Sequence, residues 1–441
     1  MMPLARFLGA SGDFQDRYQS SPVPINARQG FRGPALVWSG FGAAFICAVI
    51  GGIIQRGLGT VEAVIAILLG NWILFVYSAA IGFASGKWGM NFSLTAKAVF
   101  GERGALVPIL LLALLVTGWF AFQGALTAEI LRTVFVIEDP LLVVLLAVAA
   151  SSVFALPVIW DLKHMVTVMK LALPAMILFA AYYLIAKVAP AGSQILERAG
   201  DGGMTFSTGV AMAWATFVVS GTMTGDIVRF TKTGNQAVTV TAVAFLLSNA
   251  PFMLLGALMA AAYSAPGLEY LFDRSSAWLL PFAAIAILSN WASCDACLSN
   301  ATLGLTNAFP RLPWRLAAVT SLMVAVVAVA SRLTDALEAW LMLLAVVVPP
   351  VGAVVITDYF VVRRADGFGA LRNAQVNWAA MLSLAAGVAS AYWVKQLDPD
   401  LLFPAFGLFS TAICYIVLSR LKPQALGASL INRASGAEAA D

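Results

Sequence analysis

Residues 207–229 read STGVAMAWATFVVSGTMTGDIVR, an apolar stretch that is interrupted by the run Val219-Ser220-Gly221-Thr222. A second interruption, Gly40-Phe41-Gly42, lies inside the apolar stretch 35–57. Both patterns predict helices that are unwound in the middle of a membrane. In hydrocarbon an unpaired backbone group costs on the order of several kcal/mol, so broken helices persist only where they line a protein-walled cavity. Paired breaks in the two halves of a chain therefore predict the binding site of a transporter.

The composition places the chain in a membrane. Of its 441 residues, 61% are hydrophobic and 11% are charged, and the mean hydropathy is +0.88. These values exclude a soluble globular domain with a mixed surface. The net charge of +4 is small and dispersed, without a basic run or an aromatic-basic stripe, so a nucleic-acid partner is not expected. We predict an all-α, multi-pass protein surrounded by the lipid bilayer.

Twelve stretches of about 20 apolar residues predict twelve spans. They cover residues 35–57, 61–86, 105–131, 140–160, 166–187, 207–229, 236–264, 276–308, 314–331, 337–361, 376–394 and 402–419. With the amino terminus in the cytoplasm, 19 of the 26 Lys and Arg residues fall inside and 7 outside. This bias predicts that both termini lie in the cytoplasm, and the expected location is a bacterial-type inner membrane. Residues 1–34 then form a cytoplasmic tail and residues 35–420 a single transmembrane domain. Residues 421–441 form a second tail, for which the composition predicts disorder.

Motifs for catalysis, metal binding or nucleotide binding are missing from the sequence. The four cysteines lie in apolar spans, and Cys294 and Cys297 form a lone CxxC without further ligands. The single histidine, His164, lies in a short loop. The run Gly82 to Lys87 lacks the spacing of a phosphate-binding loop. We therefore expect no enzymatic activity and no cofactor. Transport is expected to be driven by an ion gradient or by the substrate's own gradient.

Four motifs, in order along the chain, are similar to those of one known family. They are Pro22-Val23-Pro24 with Arg28, Gly118-Trp119-Phe120, residues 220–230 (SGTMTGDIVRF) and Thr357-Asp358-Tyr359-Phe360. With these motifs the chain resembles the nucleobase:cation symporter family, in its cytosine and purine permease branch, over about residues 20–420. The resemblance implies five spans repeated in inverted orientation, with the first and sixth broken around a central site, followed by two extra spans. It also implies a nucleobase-like substrate.

The third span carries the main candidates for substrate recognition. Trp119 and Gln123 are four residues apart and share a helical face, which offers an aromatic plate beside an amide. The resemblance implies that Trp119 and Phe217 sandwich the substrate ring and that Gln123 hydrogen-bonds it. The further substrate-binding candidates, which would face the polar edge of the ring, are Thr216, Ser220 and Ser289. The alternative for Trp119 and Gln123 is an interfacial tryptophan with a helix-to-helix hydrogen bond from the glutamine. The alternative for Phe217 is a lipid-facing side chain, and that for Ser220 is a small residue that permits close helix packing.

The eighth span is the most polar one, and the resemblance implies a sodium site between it and the first span. The implied ligands are Gly40, Ala43, Ser289, Ala292 and Ser293. Because Ala292 supplies no side-chain oxygen, sodium would bind weakly or with water. Asp295 lies near mid-membrane, where a charge costs at least about 2.5 kcal/mol. Since burial favours the protonated form of a carboxylate, Asp295 is the candidate for proton coupling. The alternative is a structural carboxylate bound to Asn290 or to neighbouring hydroxyls.

Two charged pairs at the cytoplasmic ends of spans are candidates for an inner gate. Asp226 with Arg229, and Asp358 with Arg363, lie three and five residues apart. In the functional interpretation the charges of each pair separate when the inside opens. In the alternative interpretation they are solvated helix faces.

The sequence thus predicts a monomeric importer of a nucleobase that works by cation symport and alternating access. Val116 and Ser289 stand where the cytosine permeases have Gln and Asn, so the substrate remains open. It is cytosine or a purine, or else a hydantoin, allantoin or a vitamin-precursor pyrimidine, and the coupling ion is sodium or a proton. An intramembrane enzyme would need a catalytic dyad or a metal cluster at membrane depth. A channel would need a continuous polar stripe along several spans.

Overall fold

The computed structural model describes residues 18–160, 165–263, 272, 277–363 and 375–421. Helices cover every predicted span within this part of the chain. In order, the spans are Arg32–Gly42 with Phe45–Leu58, Thr60–Trp88, Leu106–Phe135, Pro140–Ile159, Met165–Tyr183, Phe206–Thr222, Gly234–Ala244 with Ala250–Tyr263, Leu279–Ala308, Trp314–Ala330, Leu337–Thr357, Trp378–Leu397 and Phe403–Leu421. His164, residues 1–17 and residues 422–441 lie outside the described residues.

The predicted all-α, multi-pass fold is confirmed. Eight of the described helices are long and apolar enough to cross a membrane, and the two halves of the first span, bent by 47°, make a ninth. The sixth, ninth and eleventh spans fall short of that test in length or hydropathy. Large apolar side chains such as Leu68, Trp72 and Leu178 are exposed on the outside of the bundle. Such exposure is what a protein surrounded by lipid, rather than by water, can tolerate.

Four of the first five spans pack against the span five positions later in the chain. The third span packs along the eighth, the fourth along the ninth, and the second along the seventh. The first span contacts the sixth through both of its halves, the second half along the long helix of the sixth span and the first half at its last turn. Two interleaved five-span repeats produce this pairing, in agreement with the predicted inverted repeat. The eleventh and twelfth spans pack on each other and on the tenth.

The interruptions of the first and sixth spans lie close to the predicted positions but not on them. Gly40-Phe41-Gly42 is helical, and the first span breaks at residues 43–44, where the backbone is extended at residue 44. Val219-Ser220-Gly221-Thr222 is helical as well. The sixth span is interrupted at residues 223–224, before a last turn formed by Gly225–Val228.

The predicted breaks in the first and sixth spans are confirmed, but each lies directly after the predicted residues, because the glycines serve close helix packing instead. A Cβ atom on Gly42 would lie 2.7 Å from the carbonyl oxygen of Ala244 in the seventh span. A Cβ atom on Gly221 would collide with the hydroxyl group of Ser78 in the second span. Small residues let helix backbones approach each other in membranes. Both glycines are therefore compatible with a continuous helix.

Several local features were not predicted. One-turn π-helices end or interrupt three spans, at Leu184–Val188, Phe245–Asn249 and Asp358–Val362. A short helix, Phe92–Phe100, follows the second span and is capped by the side chain of Asn91. Because these spans are apolar on nearly all sides, the extra residue of a π-turn produces no visible change in the hydropathy pattern.

The two ends of the bundle are distinguished below by name. The terminal face is the end that carries residues 18–31, the end of the second span and the end of the sixth. The opposite face carries the loop between the third and fourth spans and the loop between the ninth and tenth spans.

Candidate functional site

The break in the first span is bridged by a side chain from the eighth span. Phe45 begins a new helix, so its N–H has no partner within that helix. Ser289 Oγ accepts a hydrogen bond from Phe45 N at 3.1 Å and donates one to the Ala43 carbonyl oxygen at 3.3 Å. All three residues are buried. The Ser289 hydroxyl group therefore positions the broken segment of the first span, and its predicted contact with substrate stays a prediction.

Trp119 and Gln123 lie one turn apart in the third span, and both are buried. The indole N–H of Trp119 and the amide Oε1 of Gln123 have no hydrogen-bond partner among the described residues. A buried polar group without a partner costs about 1–3 kcal/mol. The site thus offers an unused donor and an unused acceptor beside an aromatic face. A nitrogen heterocycle presents the complementary groups on its edge and a π-face for stacking.

Phe217 lies in an aromatic cluster with residues of the first and seventh spans. The centroid of its ring lies 5.1 Å from that of Phe41, 6.3 Å from that of Trp38 and 6.1 Å from that of Phe245. Within the described part of the chain, no ring contact joins Phe217 to Trp119. Two rings that sandwich a third ring are necessarily apart, so the sandwich stays a prediction.

Because the sixth span is helical through residues 216–221, fewer of its polar groups are available to the polar edge of a substrate than predicted. Thr216 Oγ1 donates a hydrogen bond to the carbonyl oxygen of Met212 at 2.9 Å, within its own helix. The predicted interruption at residues 219–222 would leave backbone groups free for the substrate, but these residues are helical. That expectation was wrong for the same reason as the glycine break. Ser220 is buried, and its hydroxyl group makes no hydrogen bond to a described residue.

Ser293 and Asp295 in the eighth span carry buried oxygen atoms that lack partners. Ser293 Oγ and both carboxylate oxygens of Asp295 form no well-aligned hydrogen bond with the described residues, and Asp295 is only 1% exposed. The indole of Trp291, one turn earlier, is a neighbouring donor, but its alignment is poor. An ionised carboxylate in such surroundings is expensive. The position suits a group that takes up a proton or a cation.

The implied sodium ligands are only partly available. Gly40 is part of a helix, and the Ala43 carbonyl oxygen already accepts the Ser289 hydroxyl hydrogen. Ala292 is fully buried and has no side-chain oxygen. Ser293 Oγ is the one side-chain oxygen of the set without a partner among the described residues. Since a carbonyl oxygen has two lone pairs, a weak cation site is still chemically feasible.

An unpredicted chain of hydrogen bonds braces the turn that carries Gln123. Asn290 Nδ2 donates to Thr127 Oγ1 at 3.1 Å, and Thr127 Oγ1 donates to the backbone oxygen of Gln123 at 2.9 Å. Asn290 Oδ1 has no partner among the described residues. The polarity of the eighth span was the available signal. It did not reveal that Asn290 faces the third span.

Of the two predicted gate pairs, one forms. Asp358 and Arg363 make an ion pair with 2.7 Å between Oδ2 and Nε. Tyr415 in the twelfth span donates its hydroxyl hydrogen to Asp358 Oδ1 at 2.6 Å. Arg363 also donates to the carbonyl oxygen of Ala98 in the short helix. The pair therefore connects the tenth span with the twelfth span and with the second–third connection.

The second predicted pair, Asp226 with Arg229, is buried, and its two charges are close enough to interact, but the side chains do not touch. No ion pair joins the two side chains in the described structure. Asp226 Oδ1 accepts the backbone N–H of Phe92 at 2.8 Å, and Arg229 Nη1 donates to the carbonyl oxygen of Tyr18 at 2.7 Å. Each charge binds a backbone group of a different segment: Phe92 begins a helix, so its N–H lacks a partner within that helix, and Tyr18 lies in the segment before the first span.

A cavity of about 490 Å³ lies at the opposite face. Phe122 lines it, and its ring centroid lies 5.9 Å from that of the tryptophan in the third span. The ion pairs Glu129–Arg132, at 2.7 Å, and Arg332–Asp335, at 2.8 Å, lie at its rim. The volume is in the range of small-molecule pockets.

Among the described residues, no cluster of three or more His, Cys, Asp or Glu side chains could hold a metal ion. Cys294 and Cys297 are buried free cysteines, and Cys294 Sγ lies 3.9 Å from the carbonyl oxygen of Phe120. Their arrangement is that of packing residues between the eighth and third spans.

Comparisons with known proteins agree with this architecture. The family model described as "Permease for cytosine/purines, uracil, thiamine, allantoin" matches residues 34–418. The cytosine permease of Escherichia coli (strain K12) is 28% identical over 409 residues, which cover 92% of this chain and 94% of the permease. The hydantoin permease of Microbacterium maritypicum is 26% identical over 428 residues, which cover 88% of this chain and 85% of that protein.

A solved structure shows the same fold. It is that of Mhp1, a nucleobase-cation-symport-1 family transporter, in a closed conformation with bromovinylhydantoin bound. The TM-score is 0.75 at 22% identity, with 91% of this chain and 94% of that chain covered. The twelve spans, their pairing with a period of five and the match over residues 34–418 identify this chain as a member of the nucleobase:cation symporter family of permeases for cytosine, purines, uracil, thiamine and allantoin, and as a transporter rather than an enzyme.

Proposed function

We propose that this permease imports cytosine or a purine-like base by cation symport and alternating access. The observation that carries the proposal is the pair of buried, unpartnered groups on one face of the third span, the indole N–H of Trp119 and the amide oxygen of Gln123. Nucleobases combine a flat π-face with donors and acceptors on one edge. Stacking on an aromatic side chain contributes about 1–3 kcal/mol per base and tolerates many bases. Gln123 then selects among them.

The proposed coupling ion is a proton carried by Asp295. Its two carboxylate oxygens are buried without well-aligned partners in the described structure, so only the protonated form is stable there without a counter-ion. Sodium is the second candidate, with Gly40, Ala43, Ser289 and Ser293 as ligands. The missing oxygen at Ala292 weakens that candidate.

The second candidate substrate is a hydantoin, allantoin or a vitamin-precursor pyrimidine. Ser289 favours this alternative, because its hydroxyl group is engaged by the first span on both sides and offers little to an exocyclic amine. The similarity to a hydantoin permease supports the same alternative.

The proposed cycle starts from a state that is accessible at the opposite face. The cavity there reaches Phe122, next to the proposed stacking residue. At the terminal face, Trp38 Nε1 donates to Thr224 Oγ1 at 3.2 Å and ties the first span to the interruption of the sixth. We further propose that the terminal face, with the possible gate residues Asp226, Arg229 and Asp358, lies in the cytoplasm of an inner membrane. The permease is proposed to act as a monomer.

Uptake into cells that lack their own nucleobase permeases tests the proposal. Radiolabelled cytosine, adenine, hypoxanthine, uracil, hydantoin and allantoin are each supplied with and without sodium and at two external pH values. Saturable uptake of one or more of the bases, stimulated at low pH and abolished by a protonophore, is the expected result. Uptake that saturates only for hydantoin or allantoin would replace the substrate assignment. Uptake that depends on sodium at every pH would replace the ion assignment.

A further inference from the structure

Residues 18–30, which we call the strap, lie across the terminal face of the bundle. The strap contains Pro22-Val23-Pro24 and Arg28, and it includes one turn of 3₁₀-helix at Ile25–Ala27. Val23 is only 1% exposed, although it precedes the first span. The proposed transport reaction makes no use of these residues. Their contacts nevertheless connect three spans.

The strap is bound to the end of the sixth span at two points. The carbonyl oxygen of Tyr18 accepts a hydrogen bond from Arg229 Nη1 at 2.7 Å. The carbonyl oxygen of Phe230 accepts from the backbone N–H groups of Gln29 at 2.9 Å and of Gly30 at 3.1 Å. The first span begins immediately after this second point. Its position relative to the sixth span is thus fixed where it starts.

Arg28 binds the middle of the strap to the end of the second span. Its Nη1 donates to the carbonyl oxygens of Gly86 at 2.7 Å and Lys87 at 3.2 Å, and its Nε donates to Val23 O at 3.0 Å. The last carbonyls of a helix lack partners within the helix and attract positive charge. Val23 N donates in turn to the carbonyl oxygen of Gly89 at 2.8 Å.

Gly89 is required for this contact. Its φ angle is +70°, and a Cβ atom there would lie 2.5 Å from Val23 O and 2.6 Å from Arg28 Nη2. A side chain at this position would therefore push the strap away from the second span.

We propose that the strap is a latch that holds the first half of the first span, Arg32–Gly42, against the sixth span, and that Arg28 anchors it. This half is bent by 47° from the second half, so it can swing about residues 43–44. Swinging away from the sixth span requires Gln29 and Gly30 to leave Phe230. The strap thereby sets how readily the terminal face opens. The inference rests on the proposed alternating access.

The test measures how fast a thiol behind the strap is labelled from the terminal face. A single Ser220→Cys reporter is placed in a chain whose four cysteines are replaced by alanine. A membrane-impermeant thiol reagent is then added to vesicles that expose the terminal face. Arg28→Ala is expected to raise the labelling rate about tenfold, equivalent to about 1.4 kcal/mol, because charged hydrogen bonds are lost. Arg28→Lys is expected to give an intermediate rate.

Arg32→Ala is the matched control, because Arg32 is exposed and makes no hydrogen bond to a described residue; it should leave the rate unchanged. Gly89→Ala is an independent variant that leaves Arg28 intact, and it should raise the rate as Arg28→Ala does. Unchanged labelling in both Arg28→Ala and Gly89→Ala, in protein that elutes as a single species, would overturn the proposal. No substrate is needed, so a wrong substrate assignment would leave these rates interpretable, whereas failed uptake alone would count only against the proposed function.

Discussion

The first and sixth spans differ from the third and eighth spans in how they use their polar groups. The first and sixth are interrupted, and hydrogen bonds hold residues at both interruptions: Ser289 bonds to Ala43 and Phe45, and Thr224 accepts from Trp38. Away from its interruption, the sixth span also carries one buried indole N–H without a described partner, at Trp214. The third and eighth are continuous 30-residue helices, yet they carry buried polar groups without partners in the described structure. These groups are on Trp119, Gln123, Asn290, Ser293 and Asp295.

This difference suggests separate roles for the two pairs of spans, one in conformational change and the other in substrate recognition. Groups that are already paired can hold an interrupted helix in one conformation. When they exchange hydrogen-bond partners, the helix can move about its interruption. Groups without partners are available to a ligand, and their unpaired state is a cost that a ligand removes. We infer that the substrate is recognised mainly by the third and eighth spans, while the first and sixth spans move around it. The predictions below test each half of this comparison.

Trp119→Ala should have the largest effect on recognition. Loss of stacking removes about 1–3 kcal/mol of binding, so the affinity for substrate should fall about 5- to 150-fold and uptake from low substrate concentrations should be lost, while the amount of protein in the membrane stays normal. Radiolabelled uptake and membrane immunoblots measure the two quantities. Trp393→Ala is the control, because Trp393 is exposed on the eleventh span. Near-normal uptake by Trp119→Ala would return this tryptophan to a packing role.

Asp295→Asn should abolish accumulation but retain exchange of bound substrate. The amide cannot take up and release a proton. The transporter would therefore still carry bound substrate from one side of the membrane to the other, but without coupling to proton transfer. Wild-type uptake should rise as the external pH falls, because a protonated Asp295 carries no uncompensated charge. Glu129→Gln, at the exposed rim of the cavity, is the control. Protonophore-sensitive accumulation at wild-type levels in Asp295→Asn would exclude Asp295 as the proton carrier.

Ser289→Ala should destabilise the break of the first span rather than impair substrate recognition. The change removes two hydrogen bonds at the break of the first span, each worth about 1 kcal/mol. We expect a lower midpoint of thermal unfolding in detergent and slower transport, with the order of preference among bases unchanged. Ser152→Ala removes a hydroxyl that is bonded within its own helix, to Val148 O, and serves as the control. A changed preference among bases in Ser289→Ala would instead indicate direct contact with the substrate.

Gln123→Leu should change selectivity more than expression. Replacing the amide by an apolar group of similar size removes the edge contact but leaves stacking in place, so preference between bases should shift about tenfold, equivalent to about 1.4 kcal/mol. Competition assays with unlabelled bases measure the shift. Asn290→Leu, which breaks the brace on Thr127, should instead reduce uptake of all bases alike. An equal loss of uptake for every base in Gln123→Leu would contradict a role of Gln123 in recognising the polar edge of the base.

The sequence predicted the spans well because a bilayer forces about 20 apolar residues into each of them. It placed the breaks wrongly because a glycine in an apolar helix has two uses, a break or a close helix contact. Only the neighbouring helix distinguishes them, as Ala244 does for Gly42. The true break at residues 43–44 contains two alanines, which carry no local signal. Its determinant is Ser289, a residue far away in the sequence.

The candidate site was predictable only in part, because local spacing fixes helix faces but not the neighbours that these faces contact. The spacing of Trp119 and Gln123 fixes a shared face, and the structure places them together. Partners in space could not be read from spacing. Asp226 and Arg229 are close in sequence, yet they bind Phe92 and Tyr18 instead of each other. The strap was missed because it is a polar segment whose order comes from contacts with helix ends.

Ala292→Thr should have the smallest effect, and it tests whether the break of the first span can also bind a cation. Ala292 lies between Ser289 and Ser293 in the eighth span and is fully buried. A hydroxyl at this position adds one oxygen to the set formed by the Ala43 carbonyl and Ser293 Oγ, so a weak sodium site should become stronger. We expect a severalfold greater stimulation of uptake by sodium than in the wild type, and loss of any such stimulation in Ser293→Ala. Ala296→Thr adds the same group one turn further along the helix and should leave the sodium response unchanged. If Ala292→Thr does not respond to sodium although its uptake is intact, a sodium site at the break of the first span is contradicted, and a proton carried by Asp295 is left as the proposed coupling ion.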